Sequence, residues 1–246
     1  MRTFLLMLQF FTRLPIPLEL PCEPEDFAKG PPWFPAVGWV IGGILFSVAL
    51  GLNRLQEPWM TAALLVALEA LLTGGLHLDG LADSFDGLYS NRSRERILEI
   101  MKDSRIGSNG VLALIGLLGL KTVTLAVLPP ALVPLAVLVM PAAARFSMTL
   151  ACWLFRPARP QGMGNLYIGR VRAGGAGAAA LLLGIPLSGI PGIHFGVVLG
   201  TLLAGWLFCR SADRILGGIT GDILGALCEL SGLTFLVLLW FSTKLL

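Results

Sequence analysis

The sequence predicts an all-α protein, a polytopic integral membrane bundle of about seven transmembrane helices with short interfacial helices. Charged residues make up only 13% of the 246 residues and hydrophobic residues 55%, and the mean hydropathy is +0.80. An average soluble protein has about 25% charged residues, so this chain would have too little polar surface for a water-soluble globule. At about 20 residues per span, we expect one transmembrane domain over residues 1–246.

The N-terminal segment, residues 1–33, is expected to be cytoplasmic or interfacial. Apolar residues recur at helical spacing over residues 1–13, which predicts an amphipathic helix on the membrane surface. A signal peptide is the rival interpretation, but the stretch is short, contains Gln9 and lacks an Ala-x-Ala site. Residues 14–35 are rich in proline and acidic residues and predict an extended surface loop.

Seven apolar segments predict the transmembrane spans. The second is expected to run from near Trp59 into the polar residues that end at Leu88, and Pro186 interrupts the fifth. The spans are predicted at about residues 34–52, 59–88, 107–128, 131–154, 175–190, 195–212 and 222–242.

The distribution of basic residues predicts the orientation. Fourteen Lys and Arg residues fall before the first span and after the second, fourth and sixth, whereas only Arg54 and Lys244 fall on the other side. The positive-inside rule therefore places the N-terminus in the cytoplasm and the C-terminus outside, in the cytoplasmic (inner) membrane. Between spans two and three, the apolar stripe of Ile97, Ile100 and Met101 predicts a short helix that lies flat on the cytoplasmic surface.

Other residue classes limit the partners. The net charge of +3 comes from basic residues in short loops and gives no sign of nucleic acid binding. The four cysteines (Cys22, Cys152, Cys209 and Cys228) have no metal or disulfide spacing, so inert buried thiols are expected. Lipid is the expected surroundings, and a homo-oligomer is an open alternative.

The densest polar cluster is HLDGLADSFDG at residues 77–87. Asp79, Asp83 and Asp86 stand at i, i+4 and i+7, within roughly 60° of one helix face. Because like charges that close repel, the arrangement suits a hard divalent cation, and we expect Mg²⁺ held together with substrate phosphates. A solvated helix end is the alternative. His77 is a candidate base or phosphate donor, although a hydrogen-bonded packing residue is the more common role of such a histidine.

A second acidic cluster opens the last span, in TGDILGALCE at residues 220–229. Asp222 falls in the first turn, where the helix dipole favours an anion, and it is the fourth candidate metal ligand. Glu229, seven residues on, lies deeper in the span, as a functional group or as the partner of a buried cation. Glu69 and Lys121 are expected at similar depth in antiparallel spans, so we predict a structural ion pair between them.

Candidate substrate-binding residues come from two further regions. The first region is MKDSRIGSNG, residues 101–110, which leads into the third span. Cations before a helix and the helix start itself suit phosphates. The candidates there are Lys102, Asp103, Arg105 and Asn109. Ordinary flanking charge is the alternative for the two cations. Arg145 lies too deep in the fourth span to be a flanking charge and needs a partner. Arg210 and Asp213 close the sixth span.

The predicted topology brings all these clusters except the Glu69–Lys121 pair to the cytoplasmic edge. Carboxylates, Arg and Lys around Mg²⁺ suit phosphoryl-type transfer from a diphosphate, because metal and cations neutralise the developing charge.

At these residues the chain resembles a known family. FFTRLPIP near the start, GGLHLDGLADSFDGL, IMKDSRIGSNGVLAL and TGDILGALCE together resemble the cobalamin synthase (adenosylcobinamide-GDP ribazoletransferase) family, over about residues 4–229. The segment RPARPQGMGNLY, residues 156–167, matches that family's Gly-x-Gly loop less closely. The aspartates are also similar to the CDP-alcohol phosphotransferase signature, except that Asp83 replaces its Arg.

The resemblance implies a reaction and roles. Adenosylcobinamide-GDP and α-ribazole, or its 5′-phosphate, would give adenosylcobalamin, or its 5′-phosphate, and GMP. It implies Asp79, Asp83 and His77 as catalytic residues, with Asp79, Asp83, Asp86 and Asp222 around Mg²⁺. Two alternatives remain, an intramembrane transferase that uses a CDP-activated or lipid diphosphate donor, and a small transporter. A transporter should place its polar groups near the midplane, which counts against it here.

Overall fold

The computed structural model describes residues 1–20, 23–190 and 195–245. Within these ranges the chain is helical, and the only strand-like pairing is an isolated bridge between Pro157 and Ile219. The α-helices are α1 (Arg2–Phe11), α2 (Pro24–Ala28), α3 (Phe34–Leu52), α4 (Pro58–Thr73), α5 (Leu76–Leu88), α6 (Arg94–Ile100), α7 (Ser108–Val127), α8 (Val133–Leu154), α9 (Ala173–Ser188), α10 (Phe195–Leu216) and α11 (Gly221–Leu245).

Five of the described helices, α3, α7, α8, α10 and α11, are long and apolar enough to cross a membrane. The consecutive pair α4 and α5 would add a sixth span if the two are counted together. The multi-pass helical bundle is therefore confirmed, while the predicted count of seven is approximate. The difference lies in α9, which has only 16 residues and contains Pro186 near its end.

Helix α8 is the centre of the bundle, and most of its residues are buried. It packs most extensively against α3 and also against α11, α9 and α10. Gly38 and Gly42 of α3 allow this contact, because a Cβ at either position would collide with the α8 backbone at Pro141–Ala142 or Leu138. Small residues four apart that let two helix backbones approach are typical of packing in membranes.

The predicted second span is broken, and this corrects the sequence expectation of one segment from Trp59 to Leu88. Gly74 and Gly75 both adopt left-handed conformations, with φ of 62° and 72°, and α5 leaves α4 at an angle of 93°. Glycine takes positive φ without the steric cost that a Cβ brings. After the turn, α5 packs along α11 and α7.

The N-terminal segment is confirmed as a short apolar helix, α1, whose Leu6, Met7 and Phe11 are buried against the bundle. The extended loop expected after it is wrong in part. The short helix α2 forms there because Glu23 and Asp26 make a capping box, and a 3₁₀ turn follows at Pro31–Trp33. Cys22 lies outside the described residues, whereas Cys152, Cys209 and Cys228 are free and buried as expected.

The predicted ion pair inside the bundle is confirmed and has a third member. The ammonium of Lys121 on α7 lies 3.0 Å from Glu69 Oε2 on α4 and 2.8 Å from Glu229 Oε2 on α11. The Lys121 and Glu229 side chains are 3% and 7% exposed, so both are shielded from lipid and water. These residues, called here the buried triad, join three helices by charge.

The left-handed conformation of Gly75 predicts that a side chain there lowers stability through backbone strain, without a change in packing. A Cβ at Gly75 would meet no atom of the described residues within 4 Å, so Gly75→Ala should cost only backbone strain, about 1–2 kcal/mol. Gly43→Ala in α3 is the matched control. Its Cβ would also be free of contacts within 4 Å in the described part of the chain, and alanine inside a helix should be more stable than glycine by about 0.5–1 kcal/mol. Thermal unfolding in detergent measures both. Equal stability of the two variants would contradict the strain.

The buried triad predicts an order of stabilities. Lys121→Met leaves the buried carboxylate of Glu229 and the partly buried carboxylate of Glu69 without their cation, and should cost about 3–5 kcal/mol. Glu229→Gln should cost less, and Glu69→Gln least, because Lys121 keeps one acidic partner in each. We expect Glu69→Gln to leave the chemical step intact. Exposed Glu57→Gln is the control for loss of a carboxylate, and a Lys121→Met protein as stable as the control would refute the role of the triad.

Candidate active site

Two of the predicted catalytic carboxylates, Asp79 and Asp83, lie on α5 opposite the first turn of α11. The two helix backbones nearly touch, since a Cβ at Gly80 would lie 2.9 Å from the carbonyl oxygen of Asp222. The carboxylate of Asp83 interacts electrostatically with those of Asp79 and Asp222. Asp79 is exposed and Asp83 is half-buried, so the cluster opens toward solvent.

The third carboxylate of the motif has a partner that the sequence did not indicate. Asp86 accepts hydrogen bonds from the backbone N–H groups of Gly107, at 2.7 Å, and Gly110, at 2.8 Å. These groups belong to the start of α7, where unpaired N–H groups and the helix dipole favour an anion. Asp86 therefore ties α5 to α7. Its predicted role as a metal ligand stays a prediction.

Asp222 is paired with a residue that sequence reasoning missed. Arg159 Nη2 lies 3.3 Å from Asp222 Oδ2, and the Arg159 side chain is only 16% exposed. Its Nη1 is buried and has no partner among the described residues. The one available signal was the segment 156–167, which resembled the family's loop but suggested no role for this arginine.

The loop that carries Arg159 is held by backbone hydrogen bonds to Ile219, in the segment between α10 and α11. Ala158 N donates to Ile219 O and Ile219 N donates to Arg156 O, both at 2.9 Å. Arg94, at the start of α6, donates to Leu216 O and Ala158 O, each at 2.7 Å. The basic segments after three different predicted spans therefore meet at one end of the bundle.

A pocket of about 210 Å³ lies beside Asp79 and Asp222. Its other walls are mainly aromatic rings and thioethers, with His77 among them, and they include Phe10, Phe11, Tyr167, Met148 and Met163. Tyr167 and the phenylalanines are further site residues that the sequence did not single out. His77 is 3% exposed, and neither ring nitrogen finds a partner within the described ranges.

The predicted phosphate-binding loop between α6 and α7 is exposed. Asp103 accepts three hydrogen bonds from Arg105, from its backbone N–H, Nε and Nη2, at 2.8–3.1 Å. The Arg105 guanidinium holds the pKa of the Asp103 carboxyl at about 2. Lys102 projects from the same loop, and Asn109 Nδ2 approaches Tyr89 O at 3.4 Å. A bound phosphate would compete with Asp103 for Arg105.

The remaining predicted substrate residues lie apart from one another. Arg145 is 1% exposed and donates from Nη1 to Pro141 O at 3.3 Å, so its partner is a backbone carbonyl. No carboxylate of the described residues is within salt-bridge distance of it, and its buried Nε has no partner there. Arg210 pairs with Asp213 one turn on, at 3.0 Å, on the partly exposed end of α10.

The donor set fits Mg²⁺ only together with a substrate. Within the part of the chain that the structure describes, no three acidic, histidine or cysteine side chains are grouped closely enough to hold a metal. Mg²⁺ usually takes one or two protein carboxylates and completes its shell with water and substrate phosphates. Asp79, Asp83 and Asp222 offer the hard oxygens that such binding needs. The metal therefore stays a prediction.

The chain matches a known family along nearly its whole length. The model of the cobalamin-5-phosphate synthase family (CobS) matches residues 3–240. The chain belongs to this family. Among curated relatives, the adenosylcobinamide-GDP ribazoletransferase of Clostridium botulinum (strain Okra) is 41% identical over 96% of both chains. The relative from Alkaliphilus metalliredigens is 39% identical over 99% of this chain and 96% of its own length. The relative from Desulfitobacterium hafniense (strain Y51) is 42% identical over 96% of both chains. No solved structure gave a significant match.

Family membership confirms the resemblance that the four motifs indicated. In the structure, three of these motifs meet around α5: the DGLAD motif forms the helix, TGDILGALCE packs along it, and the SRIGSNG segment is bound by Asp86.

The distinct contacts of the three aspartates predict distinct losses. Asp86→Asn should lower stability by about 1.5–3 kcal/mol. The substitution removes the negative charge and replaces one of the two acceptor oxygens with an NH₂ group, which would face a backbone N–H that it cannot accept from. Asp79→Asn should leave stability within about 0.5 kcal/mol of the wild type, as expected for an exposed side chain away from packing. Thermal unfolding of the purified variants measures this. Matching losses in the two variants would show that Asp86 has no special structural role.

Proposed function

We propose that the chain is an adenosylcobinamide-GDP ribazoletransferase, a phosphotransferase of the last steps of cobalamin synthesis. The observation that carries the proposal is the meeting of Asp79 and Asp83 with the Asp222–Arg159 pair beside one pocket, in a chain of this family. The three curated relatives described above are named adenosylcobinamide-GDP ribazoletransferase. Carboxylates beside a guanidinium that keeps one donor unpaired within the described ranges suit a diphosphate substrate.

The proposed step breaks a phosphoanhydride bond of the donor and forms a phosphate ester bond to ribazole. A ribazole hydroxyl oxygen attacks the phosphorus on the cobinamide side of the diphosphate. The bond from that phosphorus to the bridging oxygen breaks, and GMP departs with the electron pair. A carboxylate near the hydroxyl, Asp79 or Asp83, or His77 takes the proton. The buried Nη1 of Arg159, which has no partner among the described residues, can donate to a phosphate oxygen.

Magnesium is part of this proposal. Asp79, Asp83 and Asp222 would hold the ion, whose charge would neutralise the diphosphate and improve GMP as a leaving group. Asp86 supports the site by fixing α5 against α7. Lys102, Arg105 and Arg145 are the further cations that we propose for the nucleotide and phosphate oxygens.

We further propose that the site faces the cytoplasm of the inner membrane. The fourteen-to-two basic asymmetry supports this orientation. In addition, Arg94 on α6 contacts the loop residue Ala158 and the end of α10, so these segments must lie on the same side.

The activity is tested by product analysis with purified protein, adenosylcobinamide-GDP, ribazole and Mg²⁺. We expect GMP and a cobalamin product. With a CDP-activated alcohol as donor we expect no release of CMP, which is the product that the rival phosphotransferase would form. Asp79→Asn and Asp83→Asn should each slow turnover by about 100-fold or more with folded protein retained. Asp26→Ala, on the short helix α2, is the control and should keep the wild-type rate.

Metal removal tests the ion separately. EDTA should stop wild-type turnover, and Mg²⁺ or Mn²⁺ should restore it, whereas Ca²⁺ should restore it poorly because it prefers longer and looser coordination. Undiminished turnover in EDTA would remove the metal from the mechanism while leaving the transferase proposal in place.

Orientation is tested by single-cysteine labelling in intact cells, in a variant without the natural cysteines. An impermeant maleimide should label a cysteine at Pro130, in the turn between α7 and α8, and should miss cysteines at Arg92 and Arg159. Labelling at Arg92 from outside would overturn the orientation.

A further inference from the structure

The pocket beside Asp79 and Asp222 has two chemically different parts. Its inner wall is made of flat rings and thioethers, with Phe11 tilted against His77 at a centroid distance of 5.4 Å. Met148 and Met163 add polarizable sulfur atoms, which pack well against aromatic rings. The carboxylates of Asp79 and Asp222 form the polar part. Such a pocket suits a ligand with a flat aromatic end and a hydroxyl-bearing end.

His77 has hydrogen-bonding capacity that the described protein does not use. The side chain is 3% exposed, yet neither Nδ1 nor Nε2 has a partner in the described residues. The charged groups that act on it are Arg145 and Lys121, and both are donors only. They therefore cannot accept the imidazole N–H. A ligand atom that accepts from this N–H would therefore gain a buried hydrogen bond that the described protein does not make.

The volume of the pocket limits which part of the two proposed substrates can enter it. This inference rests on the proposed function. At 210 Å³ the pocket is smaller than the ~300–1,000 Å³ of a complete ligand site. It is larger than an apolar cavity of ~150 Å³ that accepts one benzene ring. An aromatic bicycle fits this range, whereas a corrin ring is far too large. The guanine of the donor is also a bicycle, but its amide and amino groups would face phenyl rings and thioethers, where they would lack hydrogen-bond partners. The aglycone of ribazole is such a bicycle, a dimethylbenzimidazole.

We propose that this pocket binds the dimethylbenzimidazole ring of ribazole, with His77 donating a hydrogen bond to its unsubstituted ring nitrogen. That nitrogen is an acceptor, because the other ring nitrogen carries the ribose. With the ring among Phe11, Tyr167 and Met148, the ribose lies toward Asp79 and Asp222, whose oxygens accept from its hydroxyls. His77 is then a specificity residue for the nucleophile, and the proton of the attacking hydroxyl passes to a carboxylate.

The test compares two ligands that differ at one atom. The first is α-ribazole, and the second is the riboside of 5,6-dimethylindole, in which the ring nitrogen is replaced by C–H. Equilibrium dialysis with the purified full chain in detergent measures both dissociation constants without turnover. We expect the wild type to bind ribazole about tenfold more tightly, the effect of one buried hydrogen bond.

His77→Phe keeps a ring of similar shape and removes both nitrogens. It should bind ribazole about tenfold more weakly than the wild type and should bind the two ligands equally. Thr73→Val is the matched control, because Thr73 is also buried and its hydroxyl donates only within its own helix, to Glu69 O and Ala70 O. The control should retain the preference for ribazole.

Release of GMP, assayed in parallel, separates this inference from the proposed function. A wild type that releases GMP but binds both ligands equally overturns the pocket assignment alone. Retention of the preference in His77→Phe also overturns it. A wild type that prefers ribazole but releases no GMP supports the pocket and overturns the proposed reaction.

Discussion

The left-handed turn at Gly74 and Gly75 is the constraint on which the site depends. Without it, residues 58–88 would form a helix of about 46 Å, longer than the ~30 Å hydrocarbon core. The carboxylates of Asp79 and Asp83 would then project into water beyond the bundle. The bend of 93° instead turns α5 back onto α11 and α7. The first half of the segment, α4, therefore packs in the apolar bundle, while the second half, α5, forms one wall of a cleft at the membrane edge.

The buried triad fixes the other side of that cleft. Glu229 and Asp222 are both on α11, seven residues apart, which is about 10.5 Å along the axis. Because Lys121 binds Glu229 and Glu69 at once, α11 cannot slide along α4 and α7 without exposing a charge to the low-dielectric interior. The buried triad therefore sets the height at which Asp222 meets α5.

The sequence predicted what depends on charge, periodicity and composition. It indicated the helical bundle, the Glu69–Lys121 pair and the apolar stripe of α6, whose Ile97 is buried. It did not predict features that depend on backbone partners distant in sequence. The glycine pair permits a turn but gives no angle, and the position of Arg159 depends on the bridge between Pro157 and Ile219. Hydropathy alone could not distinguish the 16-residue α9 from a full span.

The carboxylate motif shows why spacing alone does not assign roles. Asp86 shares a helix face with Asp79 and Asp83, yet both its oxygens accept from the first turn of α7. Two motifs that look independent in the sequence are thus one folded unit, because Asp86 of α5 fixes the position at which the loop of residues 101–107 enters α7. The cations of that loop reach a substrate only from the position that this contact gives them. A substitution at Asp86 would therefore reduce catalysis through position, even if its carboxylate never contacted the substrate.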